Sequence, residues 1–195
     1  MSDVYGNDEV FSTTFWFNPD RVSPGEKLPI EDSSVDLLTV CQAIHWFDLD
    51  QFYKEVDRVL KRKGVLALIG YHLTDVNNQP EINALRDEIY NMLVEKYFNP
   101  KIRILNEAYE TLPVPYKNSV RIEKDLIFES TLNNFINEIP TWSGFQEFQK
   151  VEGVEKGQET LKNLTEKSLK ILNIKDVNTK IDLKVAYFAL IMTKQ

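Results

Sequence analysis

The residues of this chain best suited to chemistry are two histidines, one cysteine and a few aromatics beside breaks in apolar runs. His45 lies in Gln42-Ala43-Ile44-His45-Trp46, at the end of the apolar run Val35–Ala43. An imidazole with an ordinary pKa of about 6.5 can take up a proton or orient a carboxylate near neutral pH. It can equally serve as a packing group beneath Trp46. Tyr71 and His72 close a second apolar run, Val65–Tyr71. Trp142 and Ser143 sit in Thr141-Trp142-Ser143-Gly144, a break between two helical patterns, and suit either a ligand contact or helix packing. Cys41, inside the first run, reads as a buried, inert thiol. Two imidazoles and one thiol are too few for a structural zinc site, and a single thiol closes no internal disulfide.

These residues depend on a small number of elements. Val35–Ala43 is nearly continuous in apolar residues, as suits a parallel strand covered on both faces. Asp48 is placed to cap a helix, with Gln51 completing a capping box. Phe52, Val56, Val59 and Leu60 share one helical face. Lys63-Gly64 is expected to end that helix. Gly64 would take the left-handed cap and Lys61-Arg62-Lys63 would meet the negative pole of the helix dipole. A second strand follows at Val65–Tyr71, and the unit reads as a right-handed crossover between parallel strands. Pro80 opens a helix in which Ile82, Leu85, Ile89, Leu93 and Tyr97 recur at helical spacing up to Asn99-Pro100. Residues 101–118 read as an extended loop. Val120–Phe128 alternates as a strand, Thr131 caps a short helix, Val154–Leu172 is an amphipathic helix, and Ile181–Met192 is a strand inside a sheet.

Composition narrows the classes. The 195 residues carry a net charge of −7, which argues against a basic nucleic-acid surface. No apolar stretch reaches the ~18 residues of a membrane span. Asp3, Asp8, Glu9 and Asp20 punctuate the first 20 residues, so a signal peptide's basic start and apolar centre are absent there. A cytoplasmic protein with neither nucleic-acid nor membrane partners is the expectation.

Three stretches in order resemble the back half of the class I S-adenosylmethionine-dependent methyltransferases. GEKLPIEDSSVDLLTVCQAIHWFD is similar to their adenine-side loop and fourth strand. FYKEVDRVLKRKGVLALIGY is similar to the next helix and fifth strand. IPTWSGFQEF resembles a Thr-Trp-Ser break in the subgroup related to trans-aconitate methyltransferase. The resemblance covers residues 22–195 as the C-terminal portion of a methyltransferase domain and leaves 1–21 as a non-family segment. It implies an α/β fold: a partial Rossmann-like sheet of the family's strands four to seven, the last antiparallel, with helices on both faces. The family's strand order is 3-2-1-4-5-7-6.

The resemblance further implies S-adenosylmethionine as cofactor and a small-molecule acceptor, a carboxylate or other oxygen nucleophile. On it, Glu26, Gln42, Ala43 and Trp46 lie on the cofactor side, Glu26 being otherwise a plain turn residue and Trp46 otherwise core. His45 becomes the candidate catalytic residue, and Tyr71, His72, Trp142 and Ser143 the acceptor side. The family grips its cofactor with a Gly-x-Gly-x-Gly loop, yet none of the seven glycines here stands in a Gly-x-Gly arrangement. The expectation is therefore a methyltransferase chain defective in cofactor binding. The alternative is a truncated isoform, fragment or pseudoenzyme acting through protein contacts. Val35–Ala43 would then be an exposed edge through which the chain self-associates, unless Phe11, Phe15, Trp16 and Phe17 fold over it.

Overall fold

The computed structural model describes residues 11–15 and 18–195, with side chains from Ser23 onward. The covering role expected of Phe11, Phe15, Trp16 and Phe17 lies outside what is described. Strands β1 (Phe11–Phe15) and β2 (Asn18–Ser23) pair antiparallel as a separate two-stranded sheet. The chain divides into two compact units. The first comprises Met1–Gly70, Thr111–Ile122 and Ala189–Gln195; the second comprises Tyr71–Glu110 and Glu123–Phe188.

In the first unit, β3 (Val35–Cys41) pairs parallel with β4 (Leu60–Tyr71), joined by the helix α1 (Leu49–Val59). The register sets Leu38 beside Leu66 and Val40 beside Leu68, and all four are buried, as are Phe52, Val56 and Val59 of α1. Side chains alternate along a strand, so Leu37 and Cys41 point the other way. Leu37 is 57% exposed and Cys41 is exposed as well. This corrects the reading of Cys41 as buried: an apolar run does not reveal which of its faces is covered.

The end of α1 also differs from expectation. The helix stops at Val59, and Leu60 already belongs to β4. Between the pairs Val35↔Leu60 and Leu37↔Val65, Lys61–Gly64 stand opposite Asp36 alone, forming a bulge. Lys63, not Gly64, takes the left-handed backbone, at φ 68. Gly64 is needed for close approach, because a Cβ there would lie 2.9 Å from the Lys61 carbonyl oxygen and 3.0 Å from that of Val35. Lys61 faces no helix end either: its ammonium donates to Asp36 at 2.7 Å.

Strand β7 (Lys180–Thr193) runs through both units. In the first, Lys63 N–H donates to Lys194 O and Lys194 N–H to Gly64 O, at 3.0 and 2.9 Å. In the second, β5 (Asp75–Val76) pairs antiparallel with β7 through Asp75↔Lys184 and Val76↔Leu183. Strand β6 (Ser119–Thr131) also pairs with β7, giving neighbours β3-β4-β7-β5 with β6 alongside β7. Without the two-residue β5, this is the 4-5-7-6 order that the resemblance implies.

The second unit buries Val76, Ile82, Leu93, Leu132, Phe135, Phe145, Leu164 and Leu183 in one core. They come from helices α2 (Pro80–Lys96), α4 (Leu132–Glu138), α5 (Ser143–Glu152) and α6 (Val154–Leu172) and from the strands. Thr131 caps α4 as expected, its Oγ1 accepting Asn134 N–H at 3.1 Å. Within the expected loop 101–118 lies a short helix, α3 (Ile102–Asn106). The Asn99 side chain starts its turn by accepting Lys101 N–H at 3.0 Å. Left-handed Ala108 and Tyr109, at φ 50 and 64, end it. Among the described residues no helix is long and apolar enough to cross a membrane.

Candidate functional site

The cofactor-side residues expected from sequence all fall in the first unit, at the C-terminal end of β3 and the start of α1. Gln42 makes the last ladder bond, donating its N–H to Ile69 O at 2.9 Å, then turns the chain with a left-handed φ of 55. A non-glycine residue with positive φ is uncommon, and such strain concentrates at ligand sites. Ala43 is buried and opens a 3-10 turn, Ile44–Trp46, closed by Trp46 N–H donating to Ala43 O at 3.0 Å. His45 is 4% exposed and its ring centroid lies 4.8 Å from that of the half-buried Trp46. The imidazole therefore packs on the indole, whatever else it does.

Glu26 is brought to the same place by its neighbour. A Cβ at Gly25 would stand 2.9 Å from Phe47 Cζ, so only glycine lets the loop lie on that ring. The Glu26 carboxylate accepts Asp48 N–H at 2.9 Å. Asp48 in turn accepts Gln51 N–H at 3.2 Å and the Gln51 side-chain amide at 2.7 Å. Half of the expected capping box is thus present; the reciprocal bond to Asp48 N–H comes from Glu26 instead of Gln51. These Gln51 bonds hold the Asp48 carboxyl below its usual range.

Sequence reasoning missed the pair that shapes this loop. Leu28 N–H donates to Glu55 at 2.6 Å. Arg58 donates to Ile30 O at 2.8 Å, Leu28 O at 3.1 Å, Asp32 at 2.5 Å and Glu55 at 2.6 Å. The Arg58 guanidinium, followed by Leu28 N–H, holds the Glu55 carboxyl below its usual range. The signal available was an i, i+3 Glu-Arg pair on one helical face after an acidic loop.

The acceptor-side residues all fall in the second unit, where each pair has its own aromatic partners. Tyr71, 44% exposed, has its ring 5.7 Å from Tyr187. His72 is exposed, lies 5.2 Å from Phe188, and donates its N–H to Ala186 O at 2.9 Å. Phe188 meets the buried Tyr109 edge-on at 5.0 Å. Trp142 is half-buried and stands edge-on to Tyr90 at 5.3 Å; Ser143 is the exposed first residue of α5. A Cβ at Gly144 would lie 2.3 Å from Phe98, so the break after Trp142 lets that ring pack closely. Tyr90 donates its hydroxyl to Asn106 at 2.7 Å, and burial raises its pKa.

Arg86 is a second residue that sequence reasoning missed. It is buried on α2, donating to Thr74 O at 2.6 Å and to Asp75 at 2.7 Å, with Asp87 2.9 Å from its Nε. It thereby pins the segment that follows Tyr71-His72. Its place four residues after Ile82, on the buried stripe of the helix, was the available sign. Among the described residues no group of three or more His, Cys, Asp or Glu is arranged to hold a metal ion.

The parallel crossover, the antiparallel β7 and the helices define an α/β, Rossmann-like sheet. A solved structure from Anaeromyxobacter dehalogenans, named as a type II methyltransferase, has the same fold. It matches at a TM-score of 0.68 and 24% identity, over 89% of this chain and 70% of that one. Residues 10–68 match the family described as a methyltransferase domain. A Dictyostelium discoideum protein named as a methyltransferase is 28% identical over 177 residues, 90% of this chain and 66% of its own length. A Schizosaccharomyces pombe protein named as an uncharacterized methyltransferase is 37% identical over 93 residues, 48% of this chain and 34% of its own. This chain thus spans just under two thirds of the first relative. Each of these likenesses is to a protein or a domain named as a methyltransferase.

Proposed function

We propose that this chain belongs to an S-adenosylmethionine-dependent methyltransferase of a small molecule, in the subgroup related to trans-aconitate methyltransferase. The acceptor would be a carboxylate or another oxygen nucleophile. The observation that carries the reading is the turn at Gln42, a left-handed non-glycine residue directly at the C-terminal end of β3. Open α/β sheets bind their ligands at the carboxyl ends of the strands.

S-adenosylmethionine, when bound, supplies an electrophilic methyl group on a sulfonium centre. Gln42 and Ala43 would hold its amino-acid end through backbone groups, and Trp46 offers a ring face to a cation. Glu26 fits less directly, because its carboxylate is occupied by Asp48 N–H; the backbone of that loop is the better candidate for the adenine. His45, buried against Trp46, would orient the acceptor and not deprotonate it. A carboxylate is already a nucleophile and needs alignment and exclusion of water. By the resemblance, Tyr71, His72, Trp142 and Ser143 would be the acceptor-side residues. A cytoplasmic setting without nucleic-acid or membrane partners goes with this reading.

The residues fit the cofactor only in part, since these 195 residues hold no Gly-x-Gly loop. Losing several recognition contacts of about 1–3 kcal/mol each removes orders of magnitude in affinity. This chain by itself is expected to bind weaker than ~1 mM. The same observation favours a second reading, a non-catalytic chain of the family acting through protein contacts. Titration with S-adenosylhomocysteine, followed by amide NMR, separates them. Shifts at residues 42–46 that saturate only at millimolar ligand support the first reading. Silence at those amides up to about ten times that concentration refutes it in favour of the second. Micromolar one-to-one binding by calorimetry overturns the expected defect.

A further inference from the structure

Helices α2 and α6 pack together in the second unit and leave a cleft of about 160 Å³ between them. From α2 come Leu85, Glu88 and Ile89, and from α6 come Asn163, Leu164 and Lys167. Both sets follow the three- and four-residue spacing that puts side chains on one helical face. Leu164 is 3% exposed and belongs to the core of the unit, and Leu85 and Ile89 are half-buried against that core. These three form an apolar floor. Glu88, Asn163 and Lys167 are exposed, so the floor is rimmed by a carboxylate on one helix and by an ammonium and a carboxamide on the other. Among the described residues neither charge is drawn into an ion pair, although Lys162 and Glu166 of the same α6 are matched at 3.9 Å. The space is close to the ~150 Å³ that takes a benzene-sized molecule.

We propose that this cleft binds a free α-amino acid with a short aliphatic side chain, at a site built from other residues than the cofactor and acceptor sides and independent of the methyltransferase reading. The ligand's ammonium meets the Glu88 carboxylate. Its carboxylate meets the Lys167 ammonium and accepts from the Asn163 amide, and its side chain lies on Leu85, Ile89 and Leu164. Opposite charges on the two rims suit a zwitterion, whereas a plain anion is opposed by Glu88 and a plain cation by Lys167. The size of the cleft limits the apolar part to about six heavy atoms. The charges stand in water, so each is worth no more than about fivefold in affinity. Burial of the side chain contributes more, about tenfold. For a ligand of about nine heavy atoms the Kd is on the order of 1 mM.

Amide NMR of the full chain at low salt, titrated with L-leucine to about 50 mM, tests this. Saturating shifts confined to residues 85–89 and 160–168 are expected. Glycine, which carries both charges and no side chain, should bind about tenfold weaker. Glu88→Gln should weaken leucine by about three- to fivefold and leave isovalerate, which lacks the ammonium, no weaker than with the parent. Lys167→Met should weaken leucine similarly and leave isopentylamine, which lacks the carboxylate, no weaker. Both residues are exposed on helix surfaces, where substitutions are usually tolerated. Silence of the cleft amides up to about 50 mM leucine overturns the proposal. Leucine binding that neither variant weakens, or glycine binding as tightly as leucine, overturns it as well. So do shifts that grow without saturation across the rest of the chain.

Discussion

Lys63 and Gly64 divide two roles that a sequence reader would give to the glycine alone, and substituting each in turn separates them. At Gly64 an added Cβ would stand 2.9 Å from Lys61 O, 3.0 Å from Val35 O and 3.2 Å from Lys61 N. All three are backbone atoms, so no rotamer change relieves the crowding and a strand must move. Overpacking of this kind costs about 1–3 kcal/mol, offset by about 0.4–1 kcal/mol from a stiffer unfolded chain. Gly64→Ala should therefore destabilise by roughly 1–2 kcal/mol. For a chain of this size that lowers Tm by about 2–8 °C. Lys63 sits at φ 68, where an L-residue carries a penalty of about 1–2 kcal/mol. Lys63→Gly relieves it and adds about 0.5–1 kcal/mol of chain entropy. The variant should gain up to about 1 kcal/mol.

Urea unfolding followed by circular dichroism reads both effects, with the m-value as the check that the unfolded state is unaltered. The sign at Lys63 is decisive. Were Gly64 the left-handed cap of a helix running through Lys63, a glycine at 63 would weaken that helix by up to ~1 kcal/mol. A destabilised Lys63→Gly, or a Gly64→Ala within about 0.5 kcal/mol of the parent, would refute the reasoning.

Two further outcomes follow from charged groups. Asp75→Ala removes one of two carboxylates from the Arg86 guanidinium, which is 5% exposed and keeps Asp87 and Thr74 O as partners. The expected loss is about 1–3 kcal/mol in urea unfolding, the cost of one lost bond to a charged buried group. In the folded chain the Glu55 carboxyl is held low by Arg58, against about 4.3 when unfolded. Its stabilisation is therefore present above that value and lost as pH falls through the lower folded one. Melting between pH 7 and pH 3 should show a shallower acid-side decline for Glu55→Gln than for the parent; identical slopes would assign the acid sensitivity elsewhere.

The strands and long helices were legible because their periods are strong. Val154–Leu172 was read with the bounds the structure gives, and the cap at Asp48 was placed correctly. What failed was whatever depends on a distant neighbour. Cys41 looked buried because Val35–Ala43 is apolar throughout, but the identity of a covered face is a tertiary fact. Gly64 looked like a helix cap because a glycine after basic residues carries that signal, whereas its use is an approach to Val35 O from another strand. The five residues of α3 offered no periodic stretch, since a side-chain turn at Asn99 starts them and one buried residue, Ile102, anchors them. The candidate site was legible as positions and not as bonds: Glu26 was singled out, but its partner, Asp48 N–H, was not.

That partner changes what the loop can recognise. Leu28 N–H is committed to Glu55, the Leu28 carbonyl to Arg58 and Ile30 N–H, and the Ile30 carbonyl to Arg58. The Glu26 carboxylate is committed to α1. Two segments of chain are thereby tied at three places before any ligand arrives, and a loop so fixed loses little entropy on binding. On the proposed reading, recognition of an adenine in this loop then falls to the backbone of Glu26 and the carbonyl of Lys27, whose N–H donates to Pro24 O at 3.1 Å, and not to the Leu28–Ile30 stretch. The carboxylate of Glu26 acts one step removed, by fixing where that backbone lies. Glu26→Gln, which can still accept Asp48 N–H through its amide oxygen, should preserve the loop, while Glu26→Ala should loosen it. Amide hydrogen exchange at Asp48 reports the difference directly, and equal protection in the two variants would show that the loop is held by Glu55 and Arg58 alone.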